Sequence, residues 1–305
     1  MRLESRLRER GFNVISSGGE DYSFDILAGK PDNVVAIKLV ESPQEKKAVK
    51  FADDLRRLAI SLDVTPLLAC EEGVPEDSVI TLRGVPSLSL ETLKKVIEGR
   101  GGPFVYFGKG GVYVRIRSEA IERMRKSRGM SLGDLSHELG VTRRMVYEYE
   151  RGRADATLEV AYRLVKLFGE EVVEKLDLDA IAKHFAGQAA THPRDVRASH
   201  VVKDPLLKRL LSRLEEMGFL SSALERAPFN AVAKGDIGVK CKVLIKRSGS
   251  SEEERFTMEV AKLCRSYALF VNGEWLRLVR EREVRAPSQP ESVNLREMFE
   301  QAGLQ

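Results

Sequence analysis

The stretch 130-MSLGDLSHELGVTRRMVYEYERGR-153 contains two short amphipathic patterns with one glycine between them. In the first pattern Ser131 is followed three residues later by Asp134, which is the capping-box spacing for the start of a helix. Gly140 follows the apolar residues of this helix, where a sharp turn needs a positive φ at little cost. Thr142 can cap the next helix. The stretch therefore predicts two helices joined by a tight turn.

A further helix is predicted on each side of this stretch. Upstream, 118-SEAIERMRKSRG-129 carries apolar residues at Ile121 and Met124 and ends in a glycine. Downstream, Thr157 can cap a fourth helix with an apolar stripe that reaches Phe168. Four helices with a one-glycine turn between the second and the third are the layout of a helix-turn-helix unit.

Nine residues of the central stretch fall on one spacing pattern: Leu135, Leu139, Gly140, Val141, Thr142, Val146, Tyr149, Glu150 and Gly152. On these residues the unit resembles the lambda-repressor/Cro family of helix-turn-helix domains. Leu132 departs from the family, which often has a glutamine there that touches the DNA backbone. Ser136 replaces the usual alanine where the second and third helices pack. The alternative is a helical packing unit with no role in nucleic-acid binding.

The third helix of such a unit enters the major groove with its N-terminal turn leading. Because Val146 must face inward, the outward positions are Arg143, Arg144 and Tyr147. An arginine fork can bond O6 and N7 of guanine, which contributes about 1–3 kcal/mol of discrimination. The candidate DNA-binding residues are Ser131, Thr142, Arg143, Arg144, Tyr147, Arg151 and Arg153.

These candidates have different expected roles. Arg151 and Arg153 lie at the far end of the helix, where they are expected to touch the DNA backbone and fix register. Thr142 is expected to contact phosphate or base. The alternative for each arginine is a solvent-facing charge that pairs with Glu148 or Glu150.

Charge is concentrated around this unit. Residues 115–166 contain twelve Lys and Arg against eight acids, an excess equal to the net charge of +4 of the whole chain. A local positive surface suits a polyanion such as double-stranded DNA. Salt bridges along a solvated helical surface are the alternative.

Several classes of protein are disfavoured by the sequence. No apolar run approaches the eighteen or so residues of a membrane span, and the charged start is unlike a signal peptide. The three cysteines are widely spaced, which favours a reducing cytoplasm. Metal-ligand spacing of the four histidines, a Walker loop and a Gly-x-Ser-x-Gly elbow are all missing. No cofactor or metal is predicted.

The segments on either side of the helical unit follow the same order of elements. Each begins with a helix, continues through two strands, a second helix and a buried strand, and ends in a closing helix, which is 292-SVNLREMFEQAG-303 in the second segment. Local strings also coincide, such as Arg6-Leu7 with Arg213-Leu214. This similarity predicts an internal duplication. Two unrelated α/β layers of common composition are the alternative.

Both segments resemble the PD-(D/E)xK nuclease-like fold, especially archaeal Holliday-junction resolvases. The resemblance places Glu4, Asp25 and Lys38 at that family's metal-site positions. Ala36 stands where the glutamate of the Glu-x-Lys motif would be. In the second segment the aspartate is replaced by Asn230, and the glutamate by Leu244.

Loss of that glutamate affects the chemistry. Phosphodiester hydrolysis of this kind needs Mg²⁺ held by carboxylates in octahedral geometry, with a lysine near the attacking water. We therefore expect both segments to be inactive, and to act as scaffold, dimerisation or effector-sensing modules. Asp25 would then bond the nearby turn, and Lys38 would touch DNA or cover an apolar face.

The sequence thus predicts two restriction-endonuclease-like α/β domains, related by duplication, that flank an all-α lambda-repressor-like domain. A hairpin around 108-GKGG-111 precedes the helices, and its Lys109 could reach phosphate as a wing. The expected boundaries are 1–100 for the first α/β domain, 101–117 for the hairpin, 118–186 for the helix-turn-helix domain, 187–200 for a linker and 201–305 for the second α/β domain.

The whole arrangement resembles a family of archaeal transcriptional regulators. The resemblance implies a cytoplasmic, sequence-specific DNA-binding regulator and not an enzyme. A homodimer would read half-sites about 34 Å apart. A metal-dependent nuclease and a protein-interaction scaffold are the alternatives, and the sequence does not identify a small-molecule effector.

Overall fold

The computed structural model describes residues 3–18, 22–31, 33–189, 198–236, 240–272, 276–280 and 283–284. A nine-stranded sheet occupies the first half of the chain, in the order β1-β2-β3-β4-β6-β5-β7-β8-β9. Its strands are β1 (Asn13–Ser16), β2 (Ile26–Lys30), β3 (Asn33–Val40), β4 (Thr65–Cys70), β5 (Ser78–Leu82), β6 (Val85–Ser89), β7 (Val105–Gly108), β8 (Gly111–Val114) and β9 (Ala156–Thr157).

The helices of this half are of two kinds. Three pack on the sheet: α1 (Leu3–Glu9), α2 (Lys46–Leu62) and α3 (Leu90–Ile97). The others form the predicted helical unit: α4 (Ser118–Ser127), α5 (Leu132–Leu139), α6 (Arg143–Glu150) and α7 (Leu158–Phe168). A short 3₁₀ turn (Glu170–Val172) follows α7.

After the helical unit, α8 (Leu178–Ala189) and α9 (Ala198–Val201) lead to a six-stranded sheet in the order β10-β11-β12-β13-β14-β15. Its strands are β10 (Leu220–Ala223), β11 (Ala231–Asp236), β12 (Lys240–Arg247), β13 (Tyr267–Val271), β14 (Leu276–Arg280) and β15 (Glu283–Val284). Two further helices pack on it, α10 (Pro205–Glu216) and α11 (Ser251–Leu263). The predicted closing helix at 292–303 lies outside the described residues.

The two sheets share a core of four strands with the same pairing. In each, the first three strands are antiparallel and the fourth is parallel to the third, as in β3 with β4 and β12 with β13. The register agrees as well. Ile37 pairs with Ile26 and Leu67, and Ile245 pairs with Ala231 and Leu269.

One apolar core is common to both α/β units. Most residues of helix α2 from Phe51 to Leu62 are buried, and its side chains Phe51, Leu55 and Leu58 belong to the same core as Phe229 and Val232 from the second unit. The two α/β units are therefore packed against each other through α2.

Polar contacts fix the same interface. The Ser61 and Ser222 hydroxyls are 3.1 Å apart, and Lys242 Nζ donates to the carbonyl oxygen of Leu62 at 2.9 Å. Asp54 is almost fully buried and accepts hydrogen bonds from Ser23 Oγ at 2.9 Å and from the Arg226 backbone N–H at 3.1 Å. Removal from water raises the pKa of the Asp54 carboxyl above its ordinary value.

Two segments defined from the sequence have additional contacts in the structure. The hairpin is present as β7 and β8, but it is not a separate element, because β5 pairs with β7 and β9 pairs with β8. The expected end of the helix-turn-helix domain at residue 186 falls inside α8. Ile181 and Phe185 of this helix belong to the same apolar core as Leu7 of α1 and Leu93 of α3, on the first sheet.

The predicted linker at 187–200 is helical at both ends. Helix α8 continues to Ala189 and α9 begins at Ala198, while residues 190–197 lie outside the described part. No helix in the described ranges is long and apolar enough to cross a membrane.

Candidate nucleic-acid interface

The turn between α5 and α6 has the geometry that the sequence predicts. Ser131 Oγ accepts from the Asp134 backbone N–H at 3.1 Å, and the Asp134 carboxylate accepts from the Ser131 N–H at 2.8 Å, which completes the capping box. Gly140 adopts φ 65°, and Thr142 Oγ1 accepts from the Met145 N–H at 3.2 Å. Local hydrogen bonds therefore define where both helices begin, and Gly140 ends the first.

The core beneath the helices orients α6. Val146 and Tyr149 are buried against Leu135 and Leu139 of α5. The opposite face of α6 points to solvent, and its residues Arg143, Arg144 and Tyr147 are exposed, as predicted. The other candidates, Ser131, Thr142, Arg151 and Arg153, are exposed too.

Arg143 is exposed but lies against α5. A Cβ atom added to Gly133 would lie 2.9 Å from Nη2 of Arg143, so the guanidinium occupies the space that the missing side chain leaves. Hydrogen bonds from Ser131, and then the nearby charge of Arg143, lower the pKa of Asp134. Sequence reasoning missed Gly133, although a glycine inside a predicted helix is a signal of close approach.

The other three arginines have different surroundings. In the part of the chain that the structure describes, the side chain of Arg144 forms no hydrogen bond or ion pair. The guanidinium carbon of Arg151 lies 5.1 Å from the ring centroid of Tyr147, which is a cation–π distance. Arg153 is 3.9 Å from Glu148, and its side chain is mostly exposed.

Glu150 pairs with Arg125 of α4 and not with an arginine of α6. Nη2 of Arg125, on α4, donates to its carboxylate at 3.0 Å, and Nη1 of Arg125 donates to the Met130 carbonyl oxygen at 2.8 Å. Both side chains of this pair are largely buried. The ion pair ties α6 to α4 and to the start of α5. Of the two acids considered from sequence as partners of the arginines, Glu150 thus pairs with Arg125, and Glu148 lies 3.9 Å from Arg153.

The hairpin places further groups beside the helical unit. Lys109 is exposed at its turn, and the Tyr113 hydroxyl donates to the Lys109 carbonyl oxygen at 3.3 Å. Tyr106 donates to Asp155 at 2.8 Å, and Arg115 bonds the same carboxylate at 3.1 Å. Burial, followed by the bond to Asp155, raises the pKa of Tyr106. These bonds fix the hairpin to the segment between α6 and α7.

In the first α/β unit, Asp25 and Lys38 meet while Glu4 lies on α1. Lys38 Nζ donates to one oxygen of Asp25 at 2.8 Å, and the Leu39 N–H donates to the other at 2.7 Å. Lys38 is buried, with Nζ 4.4 Å from the centroid of the Phe51 ring. Lys38 therefore covers an aromatic face and neutralises Asp25.

These positions do not fit the Mg²⁺ that the fold implies. Both oxygens of Asp25 already accept hydrogen bonds, and the buried methyl group of Ala36 offers no ligand. Within the described ranges, no group of three His, Cys, Asp or Glu residues could hold a metal ion.

The second unit has the same backbone contact without the charge. Asn230 Oδ1 accepts from the Arg247 N–H at 2.8 Å, as Asp25 does from Leu39. Leu244 is buried, and Lys246 pairs with Glu253 at 3.0 Å. The Asn230 side chain thus keeps the hydrogen bond to the backbone of the neighbouring strand but provides no carboxylate for a metal ion.

Two families match separate parts of the chain. A PD-(D/E)XK superfamily domain matches residues 1–101, and a helix-turn-helix family matches residues 121–175. The second range ends before α8, in agreement with the packing of that helix on the first sheet.

Relatives from archaea cover most of the chain. Three of them are named "Putative HTH-type transcriptional regulatory protein". The relative from Methanosphaerula palustris is 31% identical over 76% of this chain and 76% of its own length. The relative from Methanocorpusculum labreanum is 35% identical over 69% and 67%, and that from Thermoplasma acidophilum, Ta1363, is 32% identical over 85% and 79%. No solved structure matches the chain.

Proposed function

Because the chain belongs to this archaeal family of HTH-type transcriptional regulatory proteins, we propose that it is a sequence-specific DNA-binding regulator that inserts α6 into the major groove. One observation carries the proposal: α6 buries one face completely and presents two adjacent arginines, without an acidic partner on α6, on the other. A regulator of this kind works in the cytoplasm, where the DNA is.

The exposed residues have distinct roles in this proposal. Arg143 and Arg144 contact base edges, because an arginine fork matches guanine O6 and N7. Tyr147 lies one turn further along the same face. Arg151 and Arg153 contact phosphates near the helix end, together with the hydroxyls of Ser131 and Thr142, and these contacts fix register without reading sequence.

The test compares two arginine substitutions in the purified full chain. Selection from random duplexes gives the preferred site, and titrations at several salt concentrations give affinity and preference. Arg143→Ala is expected to lose about 1–3 kcal/mol of discrimination at one base pair. Arg123→Ala is the matched control, since Arg123 is exposed on α4 and pairs with Glu171.

Two outcomes would contradict the groove assignment. Arg143→Ala could bind the selected site with wild-type affinity and preference. Alternatively, the wild-type chain could fail to bind any duplex at low salt, which would favour a scaffold whose helical unit serves only packing.

The flanking α/β units are proposed to be duplicated, non-catalytic PD-(D/E)xK relatives. The shared strand pairing and the matching Asp25 and Asn230 contacts support the duplication. Incubation of the full chain with DNA junctions and Mg²⁺ tests the lack of activity. Clean cutting that disappears in Asp25→Ala would establish a nuclease instead.

The regulator is further proposed to act as a homodimer. The half-sites of a two-fold symmetric operator would then lie about 34 Å apart on one face of the duplex. Sedimentation of the chain with and without its selected site measures the stoichiometry, and one chain per site would contradict the dimer.

A further inference from the structure

A cleft separates the edge of the nine-stranded sheet from α11 of the second α/β unit. Its volume is about 620 Å³, and its walls include the end of α1, strands β1 and β2, and the end of α11. The volume lies within the range of about 300–1,000 Å³ that is usual for small-molecule sites. Phe12 and Leu263 are among the apolar residues of its lining.

The rim of the cleft is strongly cationic. Four exposed basic residues line it, Arg8, Lys30, Lys262 and Arg265. Throughout the described ranges, none of the four forms an ion pair or a hydrogen bond through its side chain. The acid among the lining residues, Glu259, is 3.9 Å from Arg255 on its own helix, which is a cation outside the lining.

The first α/β unit has an acidic residue, Asp63, at the position where the second unit has Arg265. The register of the parallel strands aligns Thr65 with Tyr267, so Asp63 and Arg265 occupy equivalent positions just after α2 and α11. Both have positive φ, 56° for Asp63 and 50° for Arg265.

Asp63 offsets the charge of nearby lysines, whereas Arg265 adds to it. Asp63 forms ion pairs with Lys234 and, at 3.9 Å, with Lys242. Arg265 instead adds a further cation to Lys262 and Lys30. An arginine is also a poor choice for a left-handed backbone, in which Asp and Asn are several-fold enriched. Like charges that line one cleft repel one another, and an anion bound among them would offset that repulsion.

We infer that this cleft binds a phosphate-bearing small molecule of nucleotide size. The guanidinium groups of Arg8 and Arg265 offer the planar fork that phosphate oxygens accept, and Lys262 adds a point charge. Lys30 Nζ lies 4.3 Å from the Phe12 ring centroid, which places its charge beside the apolar part of the lining. Phe12 and Leu263 then face the less polar part of the ligand.

Position in the fold favours a small molecule over DNA. The cleft lies at β1, and the helix-turn-helix unit joins the sheet at β9, on the opposite edge. Eight strand spacings put these edges roughly 40 Å apart. The inference concerns ligand binding alone and does not depend on the DNA-binding function proposed for α6.

The test is calorimetric titration of the full chain with ATP, AMP and inorganic phosphate. Arg265→Asp reproduces the residue that the equivalent position already accommodates as Asp63, so the variant is expected to fold. It should weaken binding of the tightest probe at least tenfold, and Lys262→Ala should weaken it as well. Lys208→Ala, an exposed lysine of α10 outside the cleft, should bind within twofold of wild type.

Two outcomes would overturn the inference. In the first, none of the three probes binds the wild-type chain saturably; if a duplex of random sequence then loses affinity in Arg265→Asp, the cleft is a DNA contact. In the second, Arg265→Asp binds as tightly as wild type while its melting temperature is unchanged. Binding of inorganic phosphate alone, with the Arg265 dependence, would identify the oxyanion as the recognised group.

Discussion

At the residue scale, the helical unit depends on two contacts that the motif does not explain. Glu150 belongs to the family pattern, and its partner Arg125 lies 25 residues upstream on another helix. Gly133 provides the space for the Arg143 guanidinium. The first contact holds the recognition helix in place, and the second positions a proposed base-reading side chain.

Removal of the Glu150 carboxylate should leave a buried guanidinium without its partner. We expect Glu150→Ala to lower the free energy of unfolding by about 3–5 kcal/mol, as is usual when one member of a buried ion pair is removed. Denaturant unfolding followed by circular dichroism measures the loss. Glu148→Ala is the control, because its pair with exposed Arg153 should contribute less than about 1 kcal/mol. Equal effects of the two variants would show that the pair is not structural.

A methyl group at Gly133 should displace Arg143 rather than unfold the helix. The atom in its way is the end of a flexible side chain, and alanine favours a helix over glycine by about 1 kcal/mol. Gly133→Ala should therefore match or exceed the stability of wild type, and should change preference at the base pair that Arg143→Ala affects. A large loss of stability with unchanged preference would contradict this reading.

At the scale of elements, α8 connects the helical unit to the first sheet. The centroid of the His184 ring lies 4.5 Å from that of Tyr106 and 5.3 Å from that of Phe104. Its Nε2 is buried and has no hydrogen-bond partner among the described residues. Tyr106 is itself bonded to Asp155, which precedes α7. An uncharged His184 therefore belongs to the packing between α8 and the hairpin.

This packing should weaken on acidification. Burial, and then the charge of Arg115, lowers the pKa of His184 below its ordinary value of 6.5. Below 6.5 the unfolded chain takes up a proton before the folded chain does, so stability falls as the pH drops through this window. Thermal unfolding between about pH 7.5 and 5.5 should show a smaller loss in His184→Phe than in wild type.

The matched control for that series is His137→Gln, since His137 is exposed on α5. It should retain the pH dependence of the wild-type chain. If the His184 and His137 variants respond alike, the titrating group lies elsewhere.

At the scale of the whole molecule, the two α/β units are joined by a core that neither completes alone. Helix α2 contributes Leu58 to it, and the second sheet contributes Val232 and Leu244. Burial of apolar area on this scale is the main favourable term in folding and association.

The shared core should hold the two parts together without a peptide bond. Segments 1–189 and 198–305, expressed together with a tag on one, are expected to co-purify in equal amounts. Val232→Asp, which puts a charge in the core, should abolish co-purification, whereas Val201→Asp, at an exposed position of α9, should not. Separate, individually stable segments would show that the interface is dispensable.

The sequence alone determined the helical unit: its capping box, the positive φ of Gly140 and the inward face of α6 all follow from interactions within a few residues. The residues that replace the nuclease ligands were also visible there. Only the tertiary structure decided that α2 is shared by two sheets, that α8 leaves the helical unit, and that Arg125 pairs with Glu150. These features depend on contacts between residues far apart in the chain, which hydrophobic periodicity and capping signals do not encode. The cationic cleft is of the same kind, because its charges come from both α/β units and meet only after the units have packed.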